Sequence, residues 1–255
     1  MFATDWRDVT IDALKQKILP WVNEMKRDIS KGLVVLFCGL FLCQPVAAEK
    51  KLKLVYKDDF EKGAKNWEPT DKNAWRLRKT AKGLVYNQFK GSKYKPPHRS
   101  PVNISLLKDV YVGDFVLKVK VRSTIKDYGH RDMCLFFGYQ DKAHFYYVHL
   151  GKKTDDHANQ IFIVDGKPRT KISIKTTKGT NWDDEWHNVM IVRNAKDGTI
   201  KVFFDNMKTP IMVAKNTKFT WGRVGLGSFD DKGEWDNLEL RGQRVKPKKS
   251  PKVSK

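Results

Sequence analysis

From residue 50 onward, apolar and polar residues alternate with a period of two, and no stretch repeats at helical spacing. The clearest case is residues 115–122, where Phe115, Leu117, Val119 and Val121 point one way and Lys118, Lys120 and Arg122 the other. Such a strand lays one face on a core and the other in water. The same pattern predicts strands at residues 52–56, 75–78, 83–89, 133–139, 144–150, 160–164, 170–174, 186–193, 199–204, 223–229 and 235–240. Turn-forming runs separate them: Gln140-Asp141-Lys142, Asp165-Gly166-Lys167 and Lys196-Asp197-Gly198. An Asp-Gly pair between alternating runs is a strong hairpin signal. About a dozen short strands without intervening helices predict an all-β fold, two packed antiparallel sheets in a β-sandwich.

The pattern changes at both ends. Residues 33–43 read LVVLFCGLFLC, with Lys26, Arg27 and Lys31 before them and Gln44-Pro45-Val46-Ala47-Ala48 after. A basic head, a short apolar middle and a small-residue exit mark residues 25–48 as a secretory signal peptide, cleaved after Ala48. Eleven residues fall short of the roughly 20 that a membrane span needs. The expectation is export to the periplasm or beyond, with no stable membrane span after cleavage; an uncleaved anchor is the alternative. Leu42 before Cys43 and Phe37 before Cys38 are too large for a lipoprotein signal. Residues 1–24 read as an overcalled start, since Met25-Lys26-Arg27 begins such a signal naturally. A cytoplasmic helix built on Trp6, Val9, Ile11, Leu14 and Ile18 is the other reading. Residues 49–241 form the folded domain. Residues 242–255, basic and without an acid or an aromatic, are expected to be a disordered tail.

Charge narrows the partners. The chain carries 50 Lys+Arg against 29 Asp+Glu, a formal +21. A basic surface of this kind favours acidic or sulfated polymers through screened attraction. Nucleic acid is set aside, because export argues against it and the bases are spread over many strands rather than gathered in one stripe. Two of the three cysteines lie in the apolar run, which excludes a disulfide framework. Cys134, inside an apolar strand, reads as a buried, inert thiol.

Several segments carry a family likeness. They are Asp59-Phe60-Glu61 with Trp67, and the hairpin from Phe136-Phe137-Gly138-Tyr139 through Phe145-Tyr146-Tyr147-Val148. Trp186-His187-Asn188-Val189, Ile200 to Asp205, and the closing Val224-Gly225-Leu226-Gly227-Ser228-Phe229 with Trp235-Asp236-Asn237 complete the set. Together they resemble the concanavalin A-like lectin/glucanase superfamily. Within it they are most similar to the laminin G-like and 3-keto-disaccharide hydrolase-like secreted bacterial domains, often labelled family 16 glycoside hydrolase-like. The resemblance covers residues 53–241 and implies a jelly-roll sandwich offering a sheet face or its rim loops to a glycan. It also implies a structural calcium, for which Asp59 and Asp236 at the two meeting ends are the candidate ligands, with Asp58 beside them; no cofactor is required.

Candidate chemistry falls in three places. Glu234, Asp236 and Glu239 match the E-x-D-x-x-E spacing of family 16 glucanases, in which a bulge gathers three carboxylates on one face. A retaining hydrolase would need two of them about 5 Å apart, one with a raised pKa. The 3-keto-disaccharide hydrolase motifs themselves are not found. Around the central hairpin, Arg131, Asp132, Tyr147, His149, His157 and Asn159 combine aromatic faces with polar groups, the mixture that a sugar site needs. Third, Tyr94-Lys95-Pro96-Pro97-His98-Arg99-Ser100-Pro101 is a proline-stiffened loop that would present His98 and Arg99. Trp182 and Trp221, in expected loops, are further candidate sugar platforms. Histidine spacing does not match a zinc motif. The reading is an exported, non-catalytic module that binds a polysaccharide; a glycoside hydrolase is the alternative.

Overall fold

The computed structural model describes residues 52–247. The expected extension, signal segment and last eight tail residues lie outside them. Sixteen strands follow one another: β1 (Lys53–Asp58), β2 (Trp67–Pro69), β3 (Trp75–Thr80), β4 (Gly83–Gln88), β5 (Asn103–Leu107), β6 (Val112–Ser123), β7 (Asp132–Asp141), β8 (His144–Gly151), β9 (Gln160–Asp165), β10 (Thr170–Lys171), β11 (Ser173–Thr176), β12 (His187–Arg193), β13 (Thr199–Phe204), β14 (Met212–Lys215), β15 (Arg223–Ser228) and β16 (Gly233–Arg244). Among the described residues the one helical element is a 3₁₀ turn at Lys72–Ala74, and no helix is long and apolar enough to cross a membrane.

Two antiparallel sheets form the sandwich. The nine-stranded sheet runs β11-β14-β13-β12-β6-β16-β4-β3, with β1 also paired to β16. The seven-stranded sheet runs β10-β9-β8-β7-β15-β5-β2. Alternation decides what lies between them. Phe115, Leu117, Val119 and Val121 of β6 and Trp235, Leu238 and Leu240 of β16 meet Leu135, Phe137, Tyr146, Val148 and Leu150 of the opposite sheet. Fully burying each such side chain stabilises the fold by about 1.5–3 kcal/mol. Trp182 and Trp221 belong to the buried set as well, a correction to their reading as exposed platforms. The Trp182 indole N–H donates to the Leu150 carbonyl at 2.7 Å.

Three short strands carry too little alternation to be read from sequence: β2, β5 and β14. The expected strand at 170–174 divides at Ile172. β10 stays on the seven-stranded sheet, while β11 crosses to pair with β14 on the other. β16 runs to Arg244, three residues into the segment read as a tail.

A bulge interrupts β16. Its register against β6 shifts between Asp236 and Glu239, and Asn237 sits at φ 49°. Asparagine tolerates this left-handed conformation where a β-branched residue does not. Asn237→Val is therefore expected to lose about 1–2 kcal/mol in urea unfolding, while Asn237→Gly unfolds at the wild-type denaturant concentration.

Candidate functional site

The outward face of the seven-stranded sheet is a second apolar layer. Cys134 and Phe136 of β7, Phe145 and Tyr147 of β8, Phe162 and Val164 of β9, and Ile104 and Leu106 of β5 cluster there. Gly225 and Gly227 of β15 lack the Cβ that would press on Phe136 at 3.4 and 3.0 Å from its side-chain carbons. Residues 89–102 lie against this layer. Tyr94 packs on it, Ser92 N–H donates to Asn103 Oδ1 at 3.0 Å, and Arg169 N–H donates to the Arg99 carbonyl at 3.1 Å. The Arg169 guanidinium lies 4.7 Å from the Phe162 ring centre and 4.3 Å from that of Phe229, and it donates to Tyr147 Oη at 2.8 Å.

At one end of this layer the polar residues meet. Cys134 and His149 are directly paired across β7 and β8. His149 Nε2 lies 2.9 Å from Asp132 Oδ2. Distance alone would make this an ion pair, yet the ring N–H misses the oxygen, and neither ring nitrogen has a hydrogen-bond partner. The contact is one of proximity without a formed hydrogen bond. The other Asp132 oxygen accepts from Phe229 N–H at 3.0 Å. Phe229 lies on the His149 ring, centroids 5.8 Å apart and planes within 10°. Asp231 accepts from Asp132 N–H at 2.7 Å and from Tyr128 Oη at 2.8 Å. Burial, then the charge of Asp132, pushes the Asp231 carboxyl up to about 6. Asp230 rises for the same two reasons, and burial above all raises the Cys134 thiol.

The hairpin candidates therefore separate. Asp132 and His149 come together. Tyr147 shares their face but is fully buried, so it offers no stacking surface. Arg131, just before β7, turns away from Asp132 and is buried against Ser123 and the carbonyl of Asp183. Asn159, at φ 51°, is buried in a knot with Thr154, Thr176, Thr177 and Thr180. His157 is exposed. His98 lines a hollow of about 730 Å³ with Tyr139 and Arg223, and Arg99 is exposed on the loop. Asp230, Asp231 and Arg169 were not singled out by sequence; the available signal was an acidic pair directly following the aromatic end of a strand.

The outward face of the nine-stranded sheet is open and charged. The β16 bulge keeps Glu234, Asp236 and Glu239 all on this face, opposite Arg122, Lys120 and Lys118 of β6. Their charge states differ. Burial alone would raise Glu234, but hydrogen bonds and charge from Arg78 and Arg122 outweigh it and hold the carboxyl below its ordinary value. Arg78 donates to both oxygens, and Arg122 Nη2 to Oε2 at 2.5 Å. Arg241 holds Glu239 low. Burial raises Asp236, whose two oxygens accept from Asn237 N–H and Nδ2 at 2.7 and 2.9 Å.

Three hollows follow one another along β6. The first, about 300 Å³, is lined by Lys118, Lys120, Asn188, Asn237 and Glu239. The second, about 440 Å³, shares Lys120 and Asn237 and adds Arg122, Trp186 and Asp236. The third, about 370 Å³, shares Arg122 and adds Thr124, Lys126 and Asp184. Trp186 is half-buried here, with the Arg122 guanidinium 5.1 Å from its ring centre.

The residues expected for calcium have protein partners of their own. Ca²⁺ takes six to eight oxygens. Asp58 is already engaged by Tyr56 Oη, Phe60 N–H and Trp67 Nε1, and Asp59 accepts from Glu61 N–H at 3.3 Å. Among the described residues, the group that brings three ligating side chains within 4.8 Å is Asp132, Cys134 and His149, not Asp59 and Asp236.

No protein-family model and no curated protein matches the chain. Solved structures do. A carbohydrate-binding module, CBM66, from Bacillus subtilis aligns at 13% identity and TM-score 0.51, over 69% of this chain and 96% of its own. Domain 4 of AbnA, a GH43 extracellular arabinanase from Geobacillus stearothermophilus, aligns at 13% and 0.52, over 77% and 95%. A Bacillus subtilis protein of unknown function with a galectin-like fold aligns at 9% and 0.51, over 76% and 97%. At these identities the likeness is one of fold: a two-sheet antiparallel β-sandwich.

Proposed function

We propose that the protein binds a chain-like acidic glycan in the trough along β6 of the nine-stranded sheet. The observation that carries this reading is the run of three hollows sharing Lys120, Asn237 and Arg122. A continuous trough suits a polymer better than a small molecule, which prefers an enclosed pocket. From Lys118 to Arg122 it spans about 13 Å of strand, with three bases at alternate positions to meet carboxylates or sulfates. Trp186 supplies the aromatic face, and Asp236, Asn237 and Asn188 supply groups for hydroxyls. The carbohydrate-binding neighbours support the reading, and export, expected from residues 25–48, fits a polysaccharide ligand.

Affinity electrophoresis against neutral and acidic polysaccharides tests it. Retardation by an acidic polymer that weakens as salt rises is the expected result. Trp186→Ala should weaken that binding about tenfold, the loss of roughly 1.4 kcal/mol of stacking and cation–π contact. Binding that ignores Trp186 and Lys120 together would place the ligand elsewhere.

A hydrolase has one observation in its favour, the three carboxylates on one face of the bulged strand. Their charge states oppose it: Glu239, the acid/base in the matching motif, is held low by Arg241 rather than raised. No new reducing ends are expected from any polysaccharide in the panel.

A further inference from the structure

We propose that Asp132, Cys134 and His149 bind one divalent cation of the zinc class, on the sheet opposite the glycan trough. The three ligating atoms lie within 4.8 Å of one another on the covered face of β7 and β8. Nitrogen, sulfur and carboxylate oxygen together suit a borderline-soft ion rather than calcium or magnesium. With bonds of about 2.0–2.3 Å in a tetrahedron, ligating nitrogen and oxygen stand about 3.3 Å apart. His149 Nε2 and Asp132 Oδ2, at 2.9 Å, need to part by only a few tenths of an ångström.

An independent observation points the same way. His149 is 5% exposed, and both of its ring nitrogens lack a hydrogen-bond partner. Leaving a buried polar atom unsatisfied is costly enough that native proteins rarely do so without an ion, a water or a chemical role. Nε2 lies 2.9 Å from the Asp132 carboxylate, so an ion bound by that cluster satisfies it. The framework is rigid: Cys134 and His149 are paired in register, Asp132 is held through Phe229 N–H, and Phe229 covers the imidazole. Three protein ligands leave the fourth position of a tetrahedron for water or for an incoming group. Exposed Asp230, next to Phe229 in the chain, is near enough to feel the charges of Asp132 and His149.

Cobalt(II) is the probe, because a tetrahedral thiolate site gives visible d–d bands and a near-ultraviolet sulfur charge-transfer band. Full-length protein stripped with chelator should take up one Co²⁺ per chain with both signatures, and Zn²⁺ should bleach them. Cys134 is the sole thiol left in Cys38→Ser/Cys43→Ser, so the bands must persist there. Cys134→Ser should lose the charge-transfer band, and His149→Ala should bind at least tenfold more weakly. Folding of each variant is checked by circular dichroism. Should Cys134→Ser or His149→Ala fail to fold, the Cys38→Ser/Cys43→Ser protein alone decides. A folded Cys38→Ser/Cys43→Ser protein without the thiolate band overturns the site and leaves a plain His149–Asp132 contact. So does an unchanged spectrum in folded Cys134→Ser.

Discussion

Arg131→Ala is expected to lower the stability of the domain by about 3–5 kcal/mol, the cost of removing one member of a buried polar network. Set against a total of about 5–15 kcal/mol for an ordinary domain, this is severe. Arg131 is 1% exposed. Its guanidinium donates to Ser123 Oγ and to the Ser123 carbonyl, both at 3.0 Å. It also donates to the Asp183 carbonyl and the Asp184 carboxylate, both at 2.8 Å. Three separate segments are tied by one side chain: the end of β6, the start of β7, and the loop before β12. Lysine cannot substitute, because a single ammonium does not span this planar fork of acceptors. Urea unfolding of Arg131→Ala and Arg131→Lys measures the effect. Wild-type stability in both variants would return Arg131 to the role of a surface group available to a ligand.

That reversal of role shows where sequence stops being informative. Arg131 and Asp132 are adjacent in chain and read as one polar cluster, but Arg131 stays in the loop and turns to Ser123 and Asp183 while Asp132 opens β7 beside His149. Tyr147 illustrates a second limit. Alternation places it with His149, yet whether that face meets solvent depends on residues 89–102 and Arg169, which reach it from far along the chain. The Cys134–His149 pairing depends on hairpin register. Gly138, at φ 57°, and the register shift between Phe137 and Asp141 set that register, and neither shows in spacing. By contrast, the trough could be anticipated in part. Lys118, Lys120 and Arg122 were read as the outward row of β6, and Glu234, Asp236 and Glu239 as carboxylates brought to one face by a bulge. What spacing could not supply was the partner of each carboxylate, because Arg78 comes from a hairpin about 150 residues earlier.

Those partners lead to the second large effect. Glu234→Gln should cost about 2–3 kcal/mol near neutral pH. Removing one partner from a buried ion pair typically costs about 3–5 kcal/mol. Here Arg78 and Arg122 keep 34% and 28% of their side-chain surface, so water recovers part of the loss. The dependence on pH has a definite sign. The arginines hold the Glu234 pKa below its ordinary value. Its contribution is therefore complete above the range of an unfolded glutamate and disappears as pH falls through the depressed folded value. The stability gap between wild type and Glu234→Gln, followed by urea unfolding from neutral to strongly acidic pH, should close on acidification. A wild type that instead gained stability over Glu234→Gln as pH fell from 7 to about 5 would mean a folded pKa raised above the unfolded one, the sign of a general acid. It would undo the reading of Glu234 as an ionised wall of the trough. The expected closing only at low pH makes the Arg78–Glu234–Arg122 cluster a fixed, charged wall beside Trp186.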